Sequence, residues 1–233
     1  MRVKQFDLRD GGAAVVGYTV KSVLISILIG YAMGCISPSF LIGKLHGIDV
    51  REEGSGNAGA SNTVIMVGKM AGLTVALLDI LKAATAWWLC QGLFPGLEVA
   101  GPLGGTAAIL GHIFPVTLHF HGGKGLACIG GVVLAYSPRT LLFLLGVALL
   151  IGVLTRYVAV VTVSMSVIWP LYYGLVTSLW LGAAILAVPA LPIFCKHVEN
   201  FRRMRSGEEL RLSFLWNREG ELARIGHPDD SAK

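Results

Sequence analysis

Two short stretches hold most of the polar chemistry available to this chain. The first, Gly54-Ser55-Gly56-Asn57-Ala58-Gly59-Ala60-Ser61-Asn62, follows directly on Asp49, Arg51, Glu52 and Glu53. Glycines let backbone N–H groups converge on an anion with no Cβ in the way, and Ser and Asn add side-chain donors, so the composition suits a phosphate cradle as well as it suits a flexible turn. The second stretch runs from Gly111-His112 through Phe114-Pro115 to Gly122-Gly123-Lys124-Gly125 and ends where an apolar run begins. A lysine among glycines at a helix start favours an anion, because free N–H groups, the helix dipole and the ammonium all point the same way. It is not a P-loop, since Gly125 follows the lysine where Ser or Thr is required.

His119 and His121 suggest a metal pair, but they have no neighbouring carboxylate and leave the shell incomplete, so no metal is expected. His112 closes a glycine-rich apolar run. It reads first as a hydrogen-bonded bundle histidine and second as an acid/base or phosphate ligand.

The elements that must position these stretches are membrane spans. Of 233 residues, 54% are hydrophobic and only 14% charged, where a soluble domain has about 25% charged. The mean hydropathy is +0.69. That excludes an ordinary soluble domain and a disordered chain. Cutting at charges, prolines and glycine clusters leaves apolar runs near 20–45, 70–92, 99–116, 126–136, 140–154, 157–174 and 178–194. The expected fold is therefore an all-α integral membrane protein of about seven transmembrane helices with glycine-rich cytoplasmic loops. The fourth run is short and glycine-rich, which suggests a half-span or a tilt.

The expected organisation is a polar N-terminal arm (1–15), a membrane domain (16–200) and a basic cytoplasmic tail (201–233). The tail carries the heavier Lys/Arg cluster, which puts the C-terminus in the cytoplasm and, with an odd number of spans, the N-terminus outside. Both glycine stretches then face the cytoplasm. Beyond residue 209, Phe214, Leu215 and Trp216 among charges suit an interfacial helix or a loosely ordered tail. The net charge of +5 fits lipid headgroups and the positive-inside bias, and no nucleic-acid partner is expected. Cys35, Cys90, Cys128 and Cys195 are widely spaced within or beside apolar runs and read as small core residues. Asp79 and Lys82, at i, i+3 inside the second span, read as a structural ion pair facing the bundle.

Taken in order, four motifs resemble the bacterial membrane glycerol-3-phosphate acyltransferases that use acyl-phosphate as donor, the PlsY family. They are Gly54-Ser55-Gly56-Asn57 with Gly59-Ala60 and Asn62; Gly111-His112 with Phe114-Pro115, Phe120 and Gly122-Gly123-Lys124-Gly125; Thr155-Arg156-Tyr157-Val158; and His197-x-Glu199-Asn200 with Arg202-Arg203 and Gly207-Glu208. The resemblance implies a seven-span cell-membrane enzyme moving a fatty acyl group from acyl-phosphate to the 1-hydroxyl of glycerol 3-phosphate, with no cofactor. Its partners would be those two substrates and the lipid bilayer. It also implies that Ser55, Lys124, His197 and Asn200 bind phosphate at the catalytic centre, with His112 as a supporting candidate. Phosphate or substrate contacts are expected from Arg51, Gly54, Gly56, Asn57, Gly59, Ser61, Asn62, Gly122, Gly123, Gly125 and Thr162.

Two positions depart from the family pattern. Where the family has an arginine three residues after its G-A-T-N, this chain has Ile65, which removes a bidentate phosphate donor. Where the family has serine after T-R-Y-V, this chain has Ala159, leaving Thr162 one turn on as the nearest hydroxyl. Arg51 is the expected substitute for the missing arginine. Rival readings are a catalytically weakened paralogue that binds phosphorylated ligands or uses another acceptor, and a transporter of a phosphorylated solute. Against the transporter, the chain lacks the internal repeat and the matching pair of broken helices.

Overall fold

The computed structural model describes residues 12–226. The N-terminal arm through Gly11 and the stretch from His227 lie outside the described residues. Every regular element described is helical: α1 (Gly12–Gly34), α2 (Pro38–Leu45), α3 (Ala60–Met66), α4 (Lys69–Leu93), α5 (Ala100–Ile113), α6 (Leu126–Tyr136), α7 (Pro138–Thr155), α8 (Val158–Thr177), α9 (Trp180–Ala187), α10 (Ala190–Ser206) and α11 (Arg218–Arg224). Short 3₁₀ turns lie at Val116–Leu118 and Leu212–Leu215.

Among the described residues, six stretches are long and apolar enough to cross a bilayer. α6, with 11 residues, falls well short of the ~20 a full crossing needs. The seven expected runs are therefore all helical, but the fourth is a half-length helix inside the bundle. The seventh is broken into α9 and α10 at Val188-Pro189, and α10 runs on to Ser206, past the expected end at 194. Because Pro189 lacks an N–H, it is tolerated at the start of α10.

Small residues set the architecture. α5, Ala-Gly-Pro-Leu-Gly-Gly-Thr-Ala-Ala-Ile-Leu-Gly-His-Ile, lies at the centre, with 78% of its apolar window buried, whereas α7 has 17% buried and presents Leu142, Phe143, Leu149 and Leu150 outward. Those exposed leucines have hydrocarbon as their solvent. α1 crosses α5 so closely that a Cβ on Gly30 would stand 2.2 Å from Gly104 O, and one on Gly34 would stand 2.2 Å from Ala108 O. Such backbone approach, not a hydrophobic drive, is what associates helices in lipid. Trp87, Tyr136, Trp169 and Tyr173 pack edge-on and tilted in one cluster, with ring centroids 5.2–6.2 Å apart.

The turns are chemically specified. Ser37 and Ser137 cap α2 and α7 through Phe40 N and Thr140 N, each followed by proline at the first helical position. Three of the four cysteines are buried as expected, while Cys195 is exposed on α10 and is no core residue.

Asp79, Lys82 and His112 cluster inside the bundle. Lys82 Nζ lies 2.7 Å from Asp79 Oδ1, 3.1 Å from His112 Nδ1 and 2.6 Å from Ile36 O, and His112 Nδ1 lies 3.3 Å from Asp79 Oδ1. All three side chains are at most 6% exposed. Asp79 and Lys82 thus face the bundle as a pair and draw His112 in as a third member. Cys128 Sγ joins Asp79 and His112 within a 4.8 Å group of metal-type donors, but the ammonium of Lys82 already stands among them as the cation.

Candidate functional site

The loop of residues 50–59 is held by one buried side chain. Asn62, in the first turn of α3 and 1% exposed, donates through Nδ2 to Val50 O (2.8 Å) and Glu53 O (3.1 Å), and its Oδ1 accepts from Ser55 N (2.9 Å). The amide thereby uses its donors and its acceptor on the loop backbone. Gly54 and Gly56 take left-handed φ values of 59° and 66°, which cost a side chain strain that glycine avoids. Thr63 ties the same helix to α2 through Ser39 Oγ at 2.8 Å and donates its hydroxyl to Gly59 O at 3.1 Å.

The second loop is seated on His112. Gly123 N donates to His112 O at 3.0 Å, and a Cβ on Gly123 would stand 2.1 Å from His112 Nε2. No side chain fits there, so the glycine lets the loop lie flat against the buried histidine. Gly125, at φ 94°, then turns the chain into α6 with Lys124 just outside the span.

α10 supplies the third wall. His197, Asn200 and Arg203, three residues apart, share a face and line the same cavity as Lys124. Lys124 Nζ donates to Asn200 Oδ1, Asn200 Nδ2 donates to Glu209 Oε1 (2.6 Å), and Arg203 Nε donates to Glu209 Oε2 (2.9 Å). His197 Nδ1 lies 2.7 Å from Ile193 O, and since a carbonyl only accepts, Nδ1 carries the proton. Lys124 is pulled below the usual lysine value to about 8, first by burial, with Glu209 opposing and Arg203 and Lys196 reinforcing.

These groups open onto one cavity of about 650 Å³. Its polar end holds Ser55, Lys124, Asn200 and Arg203, and its other arm is lined by Val133, Leu144, Met165 and Trp169 between α6, α7 and α8. Of the residues singled out from the sequence, Ser55, Lys124, His197, Asn200, Gly54, Asn57, Gly59, Ser61, Asn62, Gly125 and Thr162 line this cavity. Thr162 spends its hydroxyl proton on Val158 O at 2.9 Å.

Arg51, Gly56, Gly122, Gly123 and His112 are not among the lining residues. Arg51 is held by Asp49 through two contacts of 3.0 and 2.7 Å and lies over the Phe40 ring, 5.0 Å from its centroid. The same hydrogen bonds hold the Asp49 carboxyl well below the usual carboxylate range. The expectation that Arg51 replaces the family arginine therefore does not match its position. Gly56 serves the turn, while Gly122, Gly123 and His112 form the floor beneath the lysine. His119 and His121 stay in the loop, with His121 Nδ1 on His119 O at 2.7 Å.

Sequence reasoning missed two residues of the polar end, Glu209 and Arg203. Arg203 was legible as a continuation of the His197/Asn200 face, one turn further along the helix. Glu209 was not, because it reaches the site from beyond the Gly207 helix stop, where the N–H groups of Glu208 and Glu209 fold back onto Arg203 O. Both departures from the family pattern, Ile65 and Ala159, line the cavity.

Through Gly226 the tail is tied back to the bundle. Leu212 N donates to Arg156 O (2.6 Å), Arg224 reaches Gly207 O and Glu209 O, and Glu221 binds Ser213 Oγ (2.7 Å), Arg211 N (3.2 Å) and Arg224 (2.8 Å). Burial alone would raise the Glu221 carboxyl, but these hydrogen bonds outweigh it and hold the value down.

Known proteins resemble this chain in sequence and fold. A family model described as glycerol-3-phosphate acyltransferase matches residues 24–207. The chain is 36% identical over 202 residues to glycerol-3-phosphate acyltransferase 1 of Oceanobacillus iheyensis, covering 84% of this chain and 97% of the relative. It is 40% identical over 203 residues to the glycerol-3-phosphate acyltransferase of Enterococcus faecalis, covering 82% and 93%. The crystal structure of the integral membrane glycerol 3-phosphate acyltransferase PlsY in its glycerol 3-phosphate form superposes with a TM-score of 0.73 at 32% identity, covering 83% of this chain and 97% of that one. The lysophosphatidic acid form of PlsY gives 0.70 at 33%, covering 82% and 95%.

Proposed function

The chain belongs to the glycerol-3-phosphate acyltransferase family, and from that premise we propose how its cavity works. The protein is a multi-pass membrane enzyme that transfers a fatty acyl group from acyl-phosphate to the 1-hydroxyl of glycerol 3-phosphate, giving lysophosphatidic acid and phosphate. One observation carries the reading: a single cavity joins the Lys124–Asn200–Glu209–Arg203 chain to an apolar arm between α6, α7 and α8. Both substrates bear phosphate and one bears an acyl chain, so the cavity matches them end for end.

Acyl-phosphate is a mixed anhydride with a good leaving group, so the site has mainly to align the hydroxyl with the carbonyl and neutralise charge. Ser55, the backbone of the 54–59 loop, Asn57 and Ser61 take phosphate on one side. Lys124, His197 and Asn200 take it on the other, and Arg203 adds a guanidinium. The hydroxyl oxygen bonds to the acyl carbon as the bond from that carbon to the phosphate oxygen breaks, its electron pair leaving with phosphate. The hydroxyl proton passes to a phosphate oxygen, so no serine or cysteine is acylated. His112 acts beneath the loop as a positioning residue. We place the glycine loops and the C-terminus in the cytoplasm and the N-terminus outside, a reading supported by the Lys/Arg load of α10 and the tail.

The test is phosphate release by purified protein in detergent, given palmitoyl-phosphate and glycerol 3-phosphate, against an acceptor-free blank and Lys124→Ala. Acceptor-dependent release lost in Lys124→Ala supports the reading. The apolar side chains of Ile65 and Ala159 in the cavity wall favour one rival, a relative that binds phosphorylated ligands without turnover. That rival predicts glycerol 3-phosphate binding with release at the blank.

A further inference from the structure

The segment that follows the family match folds onto the cavity instead of leaving it. After Gly207 the chain crosses from α10 to the turn between α7 and α8, where Leu212 N meets Arg156 O and a Cβ on Gly152 would lie 3.6 Å from Leu212 Cδ2. It then turns through Phe214, 3% exposed, into α11. Leu212, Phe214, Leu222 and Ile225 line the same cavity as Lys124 and Asn200. With Leu210 these make five apolar side chains of the tail on one cavity, while Leu215 and Trp216 stay exposed, and anchoring alone does not explain the five. The anchoring is done by the polar residues: Glu221 organises the 211–213 turn, and Arg224 binds the carbonyls of Gly207 and Glu209. Through Glu209 the clamp meets the relay to Asn200 and Lys124.

We infer that residues 210–225 form an apolar wall that holds the acyl group of the donor and keeps water from its carbonyl. The inference rests on the acyltransferase reading and adds a function to a segment beyond residue 207, where the family match ends. The chemistry makes the wall necessary. Acyl-phosphate reacts with water as well as with an alcohol: water oxygen bonds to the acyl carbon, phosphate leaves with the electron pair of the broken bond, and the products are a fatty acid and phosphate. An enzyme whose polar end opens to water needs a cover at the carbonyl to favour transfer over hydrolysis. Phe214, Leu222 and Ile225 line the cavity that holds both Lys124 and the apolar arm, so the wall and the groups that take phosphate share one space.

Two variants test it: Leu222→Ala/Ile225→Ala, which thins the wall, and Arg224→Gln, which releases the clamp while leaving every apolar side chain. Two readouts are taken on each. One is the ratio of acceptor-free to acceptor-dependent phosphate release from palmitoyl-phosphate. The other is calorimetric affinity for palmitoyl-phosphonate, which does not react. The expected result is a rise in the hydrolysis ratio and an affinity loss, each about tenfold for side-chain contacts of this size, with KM for glycerol 3-phosphate within twofold in Leu222→Ala/Ile225→Ala. Loss of folding in the double variant leaves Arg224→Gln to decide on the same readouts. Folded variants with the wild-type ratio and affinity overturn the inference. If wild-type protein shows no acceptor-dependent release, the catalytic reading fails instead, and the phosphonate affinities alone decide whether the wall binds the acyl chain.

Discussion

Asn62→Ala separates bracing the phosphate loop from binding phosphate directly. The side chain is 1% exposed and makes contacts of 2.8, 3.1 and 2.9 Å to Val50 O, Glu53 O and Ser55 N. Three neutral hydrogen bonds at about 1 kcal/mol each put the total near 3 kcal/mol. Val50 is fully buried, so its carbonyl stays without water in the variant, while Glu53 and Ser55 are exposed and can be hydrated. If the whole loss falls on the ordered loop, its population drops by at most about 100-fold, since each 1.4 kcal/mol is a factor of ten. Apparent affinity falls with the fraction of competent loop. KM for the phosphate-bearing substrates should therefore rise by between about fivefold and that ceiling, with kcat changed less. Hydrogen exchange at the Ser55 amide should accelerate in the absence of any ligand, which a direct phosphate ligand would not produce. Unchanged Ser55 protection together with both KM values within twofold of wild type would refute the bracing argument.

Two further outcomes follow from charge. Burial brings Lys124 down to about 8, so the free enzyme gives up its ammonium as pH rises through that value, and KM for glycerol 3-phosphate should climb between pH 7 and 9. The sign for stability is the reverse: with the folded value below the unfolded ~10.4, the unfolded chain binds more protons between the two, and unliganded protein grows more stable with pH there. Lys124→Arg, which stays charged, should flatten the KM profile whatever it does to kcat; an unchanged alkaline limb would assign the titration to another group. In the bundle, Lys82→Met leaves Asp79 buried beside His112 without its ammonium, a loss of about 3–5 kcal/mol. Asp79→Leu/Lys82→Met should recover most of the loss in thermal unfolding in detergent, and a double variant as unstable as the single one would count against an ion pair kept for charge balance.

What the sequence made legible was whatever depends on local composition. Apolar runs between charges located every long helix, because a bilayer imposes length and polarity on each span separately. The glycine loops stood out for the same local reason, and residues of both line one cavity. Break points were harder: Pro189 ends one helix and starts another inside a run that reads as continuous, and α6 is short because neighbouring helices, not lipid, surround it. The role of Asn62 depended on carbonyls 9 and 12 residues upstream, a partnership that spacing does not specify. Arg51 was misplaced because proximity in sequence to the loop was read as proximity to the cavity, while Asp49, two residues away, holds the guanidinium first. The tail was read from composition alone, and its contacts with Arg156 and Glu209 are long-range.

The two departures in the cavity wall take their meaning from this geometry. Ile65 and Ala159 remove a guanidinium and a hydroxyl from positions that line the cavity, and hydrogen bonds to charged groups are worth about 1.5–3 kcal/mol each. The site contains a guanidinium of its own at Arg203, which reaches Glu209 through Nε on the α10 face shared with His197 and Asn200. A guanidinium can engage one carboxylate along an edge and present further N–H donors elsewhere, which an ammonium cannot do in the same geometry. Glu209 thus balances Arg203 and, through Asn200, fixes the direction of Lys124. An incoming phosphate meets cations already oriented, so the cost of ordering them is met by folding instead of by binding. If the cavity binds phosphate as proposed, Arg203, which lines it, and not Arg51, which does not, is the guanidinium available to a chain with isoleucine at position 65.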